Sequence, residues 1–233
     1  MAKSKIIKEL ANGTIDTQTA LKRTKVLLQD LDNDEILKWV NYEIGGYPSG
    51  KDVPEYRQLS GQLYGSYFKG SIATHMKYNN VSLPLGNMPE DVQQVLLTCY
   101  ITQGVEALKG LIEEHKQGDK HLCKNIPADN YPYIAHCNND LGMIITSARV
   151  EFSIPDLLNI FPKVENKLLD ILSYLEKQFG NLDDLDIDIE SKNEGELQEI
   201  VDHIHVLIYN DHRVTIGDGN EITDSTIASI VSQ

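Results

Sequence analysis

The sequence of 233 residues is short of several things, and each shortage excludes something. Its cysteines number three, Cys99, Cys123 and Cys137, too few and too odd a set for the disulfide framework that staples small secreted domains. No apolar run approaches the roughly 18 residues of a membrane span. The longest clusters are short pieces such as residues 141–145, which already contain a glycine. The opening Met-Ala-Lys-Ser-Lys has no apolar signal-peptide core, so a reducing cytoplasm is the expected compartment. Basic residues are outnumbered 35 to 21, which gives a net charge of -14 and a pI near 4.8. A field of that sign repels phosphate backbones and anionic lipid surfaces, so neither nucleic acid nor a membrane is the expected partner. What remains is ordinary: 41% hydrophobic and 7% aromatic residues make a globular composition that folds without metal or disulfide.

The charge is unevenly placed. Residues 181–233 hold 13 acidic side chains against Lys192 and Arg213, whereas the first 180 residues hold 22 acidic and 19 basic ones. The exclusion of anions is therefore firm for the tail and weak for the body, where Lys22, Arg23 and Lys25 stand close together.

Three helices are expected over residues 4–11, 16–31 and 33–44. Ala20, Leu21, Thr24, Leu27, Leu28 and Leu31 recur at three- and four-residue steps, and Asp16 and Asn33 stand at cap positions. The period then changes to two. Residues 56–68 put Leu59, Gly61, Leu63, Gly65 and Tyr67 on one face, and a second extended stretch over 72–78 makes a hairpin. A long helix is expected from Pro89 to about residue 117, with Cys99 on its apolar stripe and a weak point at Gly104. Thr146, Ala148, Val150 and Phe152 alternate with Ser147, Arg149 and Glu151 as a strand that joins the first sheet. Ser153-Ile-Pro-Asp156 is capping-box-like and leads into a helix on Phe161, Val164, Leu168, Ile171, Leu172, Leu175 and Phe179, kinked or delayed by Pro162. Residues 194–209 read as a short amphipathic helix.

The third helix runs into the most specific pattern of the chain. Residues 33–48 read Asn-Asp-Glu-Ile-Leu-Lys-Trp-Val-Asn-Tyr-Glu-Ile-Gly-Gly-Tyr-Pro, and residues 53–57 read Val-Pro-Glu-Tyr-Arg. This resembles the AbiTii domain of bacterial abortive-infection proteins, in which a helix ending in Glu-x-x-Gly-Tyr-Pro leads to a Pro-x-Tyr-Arg strand start. A looser similarity continues through Pro84-Leu85, the helix after Pro89, Ala148-Arg149 and residues 161–176, to cover residues 1–180. Pro162-Lys-Val-Glu165 departs from the pattern, where a small residue and an arginine are expected. The resemblance implies a role in defence against phage by arrest of the infected cell. It implies no reaction and supplies no catalytic residues.

Candidate sites must come from side-chain chemistry. The turn bracketed by Tyr47-Pro48 and Pro54-x-Tyr56-Arg57 presents Glu43, Tyr47, Tyr56 and Arg57, and Arg149 joins them as a candidate cluster. Two readings stay open: a binding pocket in which Arg57 faces an anion, or a Glu43 to Arg57 ion pair that pins helix to sheet. His121-x-Cys123 and His136-Cys137 are metal-type side chains, but the second pair is adjacent and its members face opposite ways, so no metal is expected. His203 and His205 lie about 200° apart around a helix and cannot bind one ligand from it. Asp184, Asp186, Asp188 and Glu190 alternate, yet a calcium loop counted from Asp184 would need glycine and glutamate where Ile189 and Gly195 stand. An acidic linker is expected there instead. The sequence has no glycine-rich phosphate loop and no nucleophile elbow, and no cofactor is expected.

The tail carries a short repeat. Thr215-Ile-Gly-Asp-Gly-Asn220 and Glu221-Ile-Thr-Asp-Ser-Thr226 align as units with Ile second and Asp fourth, followed by Ile227. Such repeats need at least about three units to be stable. Either the segment is a hairpin turning at Asp218-Gly219, or it gains neighbours from other copies through Ile216, Asp218, Asn220, Ile222, Asp224 and Ile227 and makes a homo-oligomer.

The expected fold is α+β: a helical N-terminal region and long helices packed on a small, mainly antiparallel sheet, with a small acidic C-terminal helix and β element. The expected division is a domain over 1–180, an acidic linker over 181–195 and a C-terminal element over 196–233. The expected function is a non-enzymatic defence component that senses or binds a phage or host protein and oligomerises. The rival is a toxin enzyme, a nuclease or a nucleotide-modifying activity, with Arg57 and Arg149 in its site. A third reading, an acidic mimic of nucleic acid, rests on the charge of the tail.

Overall fold

A computed structural model describes residues 3–71, 74–115, 122–140 and 142–209, together with two short strands beyond them. Along the chain the helices and strands are α1 (Lys5–Ala11), α2 (Thr17–Gln29), α3 (Asp34–Gly45), β1 (Gln58–Ser60), β2 (Gln62–Gly70), β3 (His75–Ser82), α4 (Glu90–Leu97), β4 (Thr98–Tyr100), α5 (Val105–His115), β5 (Leu122–Asn125), α6 (Tyr131–Cys137), β6 (Met143–Phe152), α7 (Ile154–Leu158), α8 (Ile160–Phe179), α9 (Glu194–Tyr209), β7 (Val214–Thr215) and β8 (Glu221–Ile222). The class is α+β. No described helix is long and apolar enough to cross a membrane. The chain forms two compact units, Met1–Ile44 with Val164–Gln233, and Gly45–Lys163.

The first unit is helical, and its helices start where side chains can satisfy their unpaired amides. The Asp16 carboxylate accepts the Thr19 amide at 2.6 Å to open α2. Asn33 Oδ1 accepts the amides of Glu35 and Ile36 at 3.2 and 3.1 Å to open α3. In α8, Val164, Leu168, Ile171, Leu172 and Leu175 form a fully buried stripe, and Pro162 is tolerated because it falls in the first turn. Ile200, Val201, Ile204 and Ile208 do the same for α9. Glu165, where the family pattern has arginine, accepts the Thr17 hydroxyl at 2.6 Å.

The acidic stretch after α8 is tied down rather than loose. Leu182 and Ile187 are buried, and the Ser4 hydroxyl accepts the Leu182 amide at 3.0 Å while donating to Glu176 at 2.6 Å. The Lys5 amide donates to Asp183. Ser4 therefore links the start of α1, the end of α8 and the stretch that follows.

The second unit is built on a four-stranded antiparallel sheet in the order β3, β2, β6, β5. Its inner face buries Leu63, Gly65, Ala148, Val150 and Phe152. Gly65 is glycine for a steric reason: a Cβ there would collide with the Ser147 carbonyl and the Leu83 side chain.

Three sequence expectations change here. The strand expected over 56–68 breaks at Gly61, where the chain leaves the β1–β4 pair and joins the larger sheet; Tyr56 and Arg57 form a 3-10 turn before it. The long helix expected from Pro89 is divided into α4, β4 and α5. Its apolar spacing is helical, but Thr98, Cys99 and Tyr100 pair with Ser60, Leu59 and Gln58, and this pairing sets their conformation. Cys99 is thus on a strand, half-buried, and not on a helical stripe. In β6 a bulge puts one extra residue opposite Ser66 and Tyr67, so that Ile145 and Met143 turn inward while Thr146 is exposed.

The Ser4 linkage predicts a pH signature. Burial pushes the Glu176 carboxyl up, but hydrogen bonds from Lys3 and from the Ser4 hydroxyl and amide outweigh it and hold the pKa down to about 2 from an ordinary 4.5. A lowered folded pKa stabilises fully above the unfolded value and is lost as pH falls through the folded one. Urea titrations of the full chain should therefore show stability declining between pH 4.5 and 2, with a shallower decline in Glu176→Gln. Equal slopes would remove Glu176 from the linkage.

Candidate functional site

The Tyr-Pro and Pro-x-Tyr-Arg residues meet around the segment that follows β4. Gly46 has φ +101°, and a Cβ on it would lie 2.9 Å from the Thr102 carbonyl oxygen. That close approach lets the Tyr47 amide donate to the same carbonyl at 2.7 Å. Arg57 is fully buried. Its Nη1 donates to the carbonyls of Gln103 and Ile101 at 2.8 and 3.2 Å, and its Cζ lies 5.1 Å from the centroid of the Tyr47 ring. The Ile101 amide returns a hydrogen bond to the Arg57 carbonyl at 2.9 Å. Tyr56 is buried beside it in sequence. Tyr47 and Arg57 are thus brought together. Glu43 is buried near the end of α3, in the helical unit.

Arg149 has a different setting, on the outer face of the four-stranded sheet. Its Nε donates to Glu151 Oε1 at 2.9 Å and its Nη2 lies 2.6 Å from the same oxygen. Nη2 also donates to Asn80 Oδ1. The Glu151 carboxylate is the main reason that the guanidinium is held above its ordinary pKa; burial opposes this, and the neighbouring Cys123 thiol adds to it. Sequence spacing had no means of finding Asn80. Between the pairs Gly65 with Val81 and Tyr67 with Tyr78 the register shifts, and Asn80 takes φ +48°. Its amide donates to Ser66 Oγ at 3.0 Å, and the bulge aims its side chain at Arg149. An Asn-Asn pair inside a strand pattern is the signal that was available, since asparagine is poor in strands and tolerates the left-handed region.

Other candidates resolve into ordinary roles. The Lys124 ammonium donates to the carbonyls of Val95, Leu96 and Thr98 at 3.1, 3.1 and 3.3 Å, a cation closing the C-terminus of α4. Burial pushes the Cys99 thiol up and the Lys124 charge pulls it back, so the thiol stays protonated at neutral pH. Cys99 lines an apolar cavity of about 150 Å³ with Ile101, Leu108, Ile112, Leu122 and Leu157. His203 stacks on Tyr174 at 4.1 Å, whereas His205 lies 3.4 Å from Glu35 and 4.6 Å from the Tyr209 ring, so the two serve different neighbours. Arg23, from the basic cluster of α2, is paired with Glu9 at 2.6 Å. Among the described residues no group of three or more His, Cys, Asp or Glu gathers as a metal site; His121 lies outside them.

Of the tail residues, Ile222 is in β8, which pairs antiparallel with β7 through Val214 with Ile222 and Thr215 with Glu221. Ile216, Asp218, Asn220, Asp224 and Ile227 lie outside the described residues.

A family model, AbiTii, matches residues 4–201. No curated protein matches the chain, and no solved structure does.

The bulge at Asn80 makes a stability prediction. Asn80→Ala keeps the positive φ but puts a side chain there that disfavours it, at about 1–2 kcal/mol. Asn80→Gly removes the same bond to Arg149 without that backbone cost. Urea denaturation should rank the variants wild type, then Asn80→Gly, then Asn80→Ala, with the last two about 1 kcal/mol apart. Equal loss in both would mean that the backbone conformation carries no energy.

Proposed function

Because the chain belongs to the AbiTii family, which is associated with abortive infection, its role is in antiviral defence, and we propose that within that role it binds rather than transforms its partner. The observation that carries this reading is the state of the two arginines that a toxin-enzyme reading would place in an active site. Arg57 is buried and its Nη1 donates to two main-chain carbonyls, and Arg149 is clasped through Nε and Nη2 by Glu151 and Asn80. A catalytic guanidinium needs a donor edge open to the charge that develops on a substrate. Here Arg57 Nη1 holds the segment after β4, and Arg149 Nε and Nη2 hold the sheet face.

The second part of the reading is self-assembly through the tail. The β7–β8 ribbon has strands of two residues each. A two-stranded ribbon is at best marginally stable alone, and its outer edges offer unpaired amides and carbonyls to another chain. The repeat over residues 215–226 supplies the same residue pattern twice, which suits stacking between copies.

Light scattering after size-exclusion chromatography, on the full chain and on a chain ending at Asn210, tests the assembly, and a phage plating assay on cells carrying each tests its consequence. The full chain should be the larger oligomer, and the shortened one should lose protection without losing its melting transition. Equal oligomeric states would remove the tail from the function.

A further inference from the structure

We propose that the outer face of the four-stranded sheet is a platform for single-stranded nucleic acid, with Phe68 as the stacking ring and Lys77 as a phosphate contact. The proposal deepens the reading of the chain as a binding component and rests on it. On β2, Gln62, Tyr64, Ser66 and Phe68 alternate with the core-facing Leu63 and Gly65, and register sets them opposite Glu151, Arg149, Ser147 and Ile144 of β6. Phe68 is also opposite Lys77 of β3. One outward surface thus carries two aromatic rings on a central strand, with a lysine beside the second of them.

At the Phe68 end, rings and a cation adjoin a hollow. The His75 ring meets Phe68 edge-on at 5.0 Å, and Lys77 Nζ lies 5.7 Å from the Phe68 centroid. Beside them is a cavity of about 260 Å³ lined by Phe68, Gly70, Ser71, His75, Gly142 and Ile144. Ile144 is 61% exposed and offers an apolar floor next to the rings. Toward Arg149 the surface turns polar: Thr146 Oγ1 donates to the Ser66 carbonyl, and Ser147 and Asn80 stand exposed.

Surfaces that bind single strands combine aromatic faces, on which any base stacks, with cations along the backbone, and an open antiparallel sheet is a common way to present both. A protein partner would instead need a broad dry apolar centre, and here the apolar groups are interleaved with hydroxyls and an amide. Most of the net charge of -14 lies outside residues 45–163, which carry 10 basic and 12 acidic side chains. The carboxylates near this surface are held by cations: Glu151 by Arg149 at 2.6 Å and Asp140 by Lys69 at 2.9 Å.

Fluorescence anisotropy of a labelled oligouridylate of about 12 nucleotides, titrated with the full chain in low salt, tests the platform. The wild-type chain should bind, and Phe68→Ala should weaken binding about 10-fold or more while Phe68→Tyr preserves it. Lys77→Gln should weaken binding and make the salt dependence shallower by about 0.7 in log-log slope, at an unchanged melting temperature. Absence of binding by the wild-type chain overturns the proposal, as does a Phe68→Ala variant that is folded and binds normally. Self-association that is lost in Phe68→Ala would assign the face to a second copy and overturns it too. If the oligonucleotide fails to bind while tail-dependent assembly and phage protection persist, the platform is wrong and the binding-component reading stands.

Discussion

A guanidinium sealed from water organises the second unit. Arg57 donates to the carbonyls of Ile101 and Gln103 and receives the Ile101 amide on its own carbonyl, so one residue fixes the segment after β4 at several points. Tyr47 adds an amide bond to the intervening Thr102 carbonyl and lays its ring against the guanidinium. Burying a charge is costly unless hydrogen bonds satisfy it, and main-chain carbonyls are partners that cannot rotate away. The residues flanking Gly45-Gly46 and Pro54 therefore act as a clamp. This gives the most distinctive part of the sequence a structural task at the entry to β1.

With that crossover fixed, β1 can pair with β4 and the chain can turn at Gly61 into the larger sheet. The sheet has two bulges, at Asn80 and at Thr146, and both change what its outer face presents. The first aims an amide at Arg149. The second reverses the parity of β6, so that Ile144 emerges beside Phe68 while Met143 and Ile145 complete the core. A sheet face that is polar at one end and aromatic at the other follows from these local irregularities.

The helices were legible because their information is local. Caps at Asp16 and Asn33 and the stripe from Val164 to Leu175 can be read from neighbouring residues, and each forms as its spacing implies. What could not be read was set by distant partners. Val92, Val95, Leu96 and Cys99 keep a helical period, yet pairing with residues 58–60 draws Cys99 into a strand. Lys124 matters through carbonyls nearly thirty positions earlier, from Val95 to Thr98. Among site residues, Tyr47 and Arg57 stood out because prolines and glycines frame them, whereas Asn80 gains its role only from a left-handed backbone inside a bulge. The acidic stretch looked like a linker because its charges alternate with apolar residues; Leu182 and Ile187 are buried and the charges are the solvent side of the same pattern.

The central claim is that Arg57 holds structure and does not contact a substrate. Its most direct measurement pairs phage protection with melting temperature across Arg57→Lys, Arg57→Gln and Arg57→Met in the full chain. The account predicts that protection falls in step with melting temperature, because each variant leaves the carbonyls of Ile101 and Gln103 short of donors. A variant that keeps the wild-type melting temperature and loses protection would contradict it and make Arg57 a functional contact.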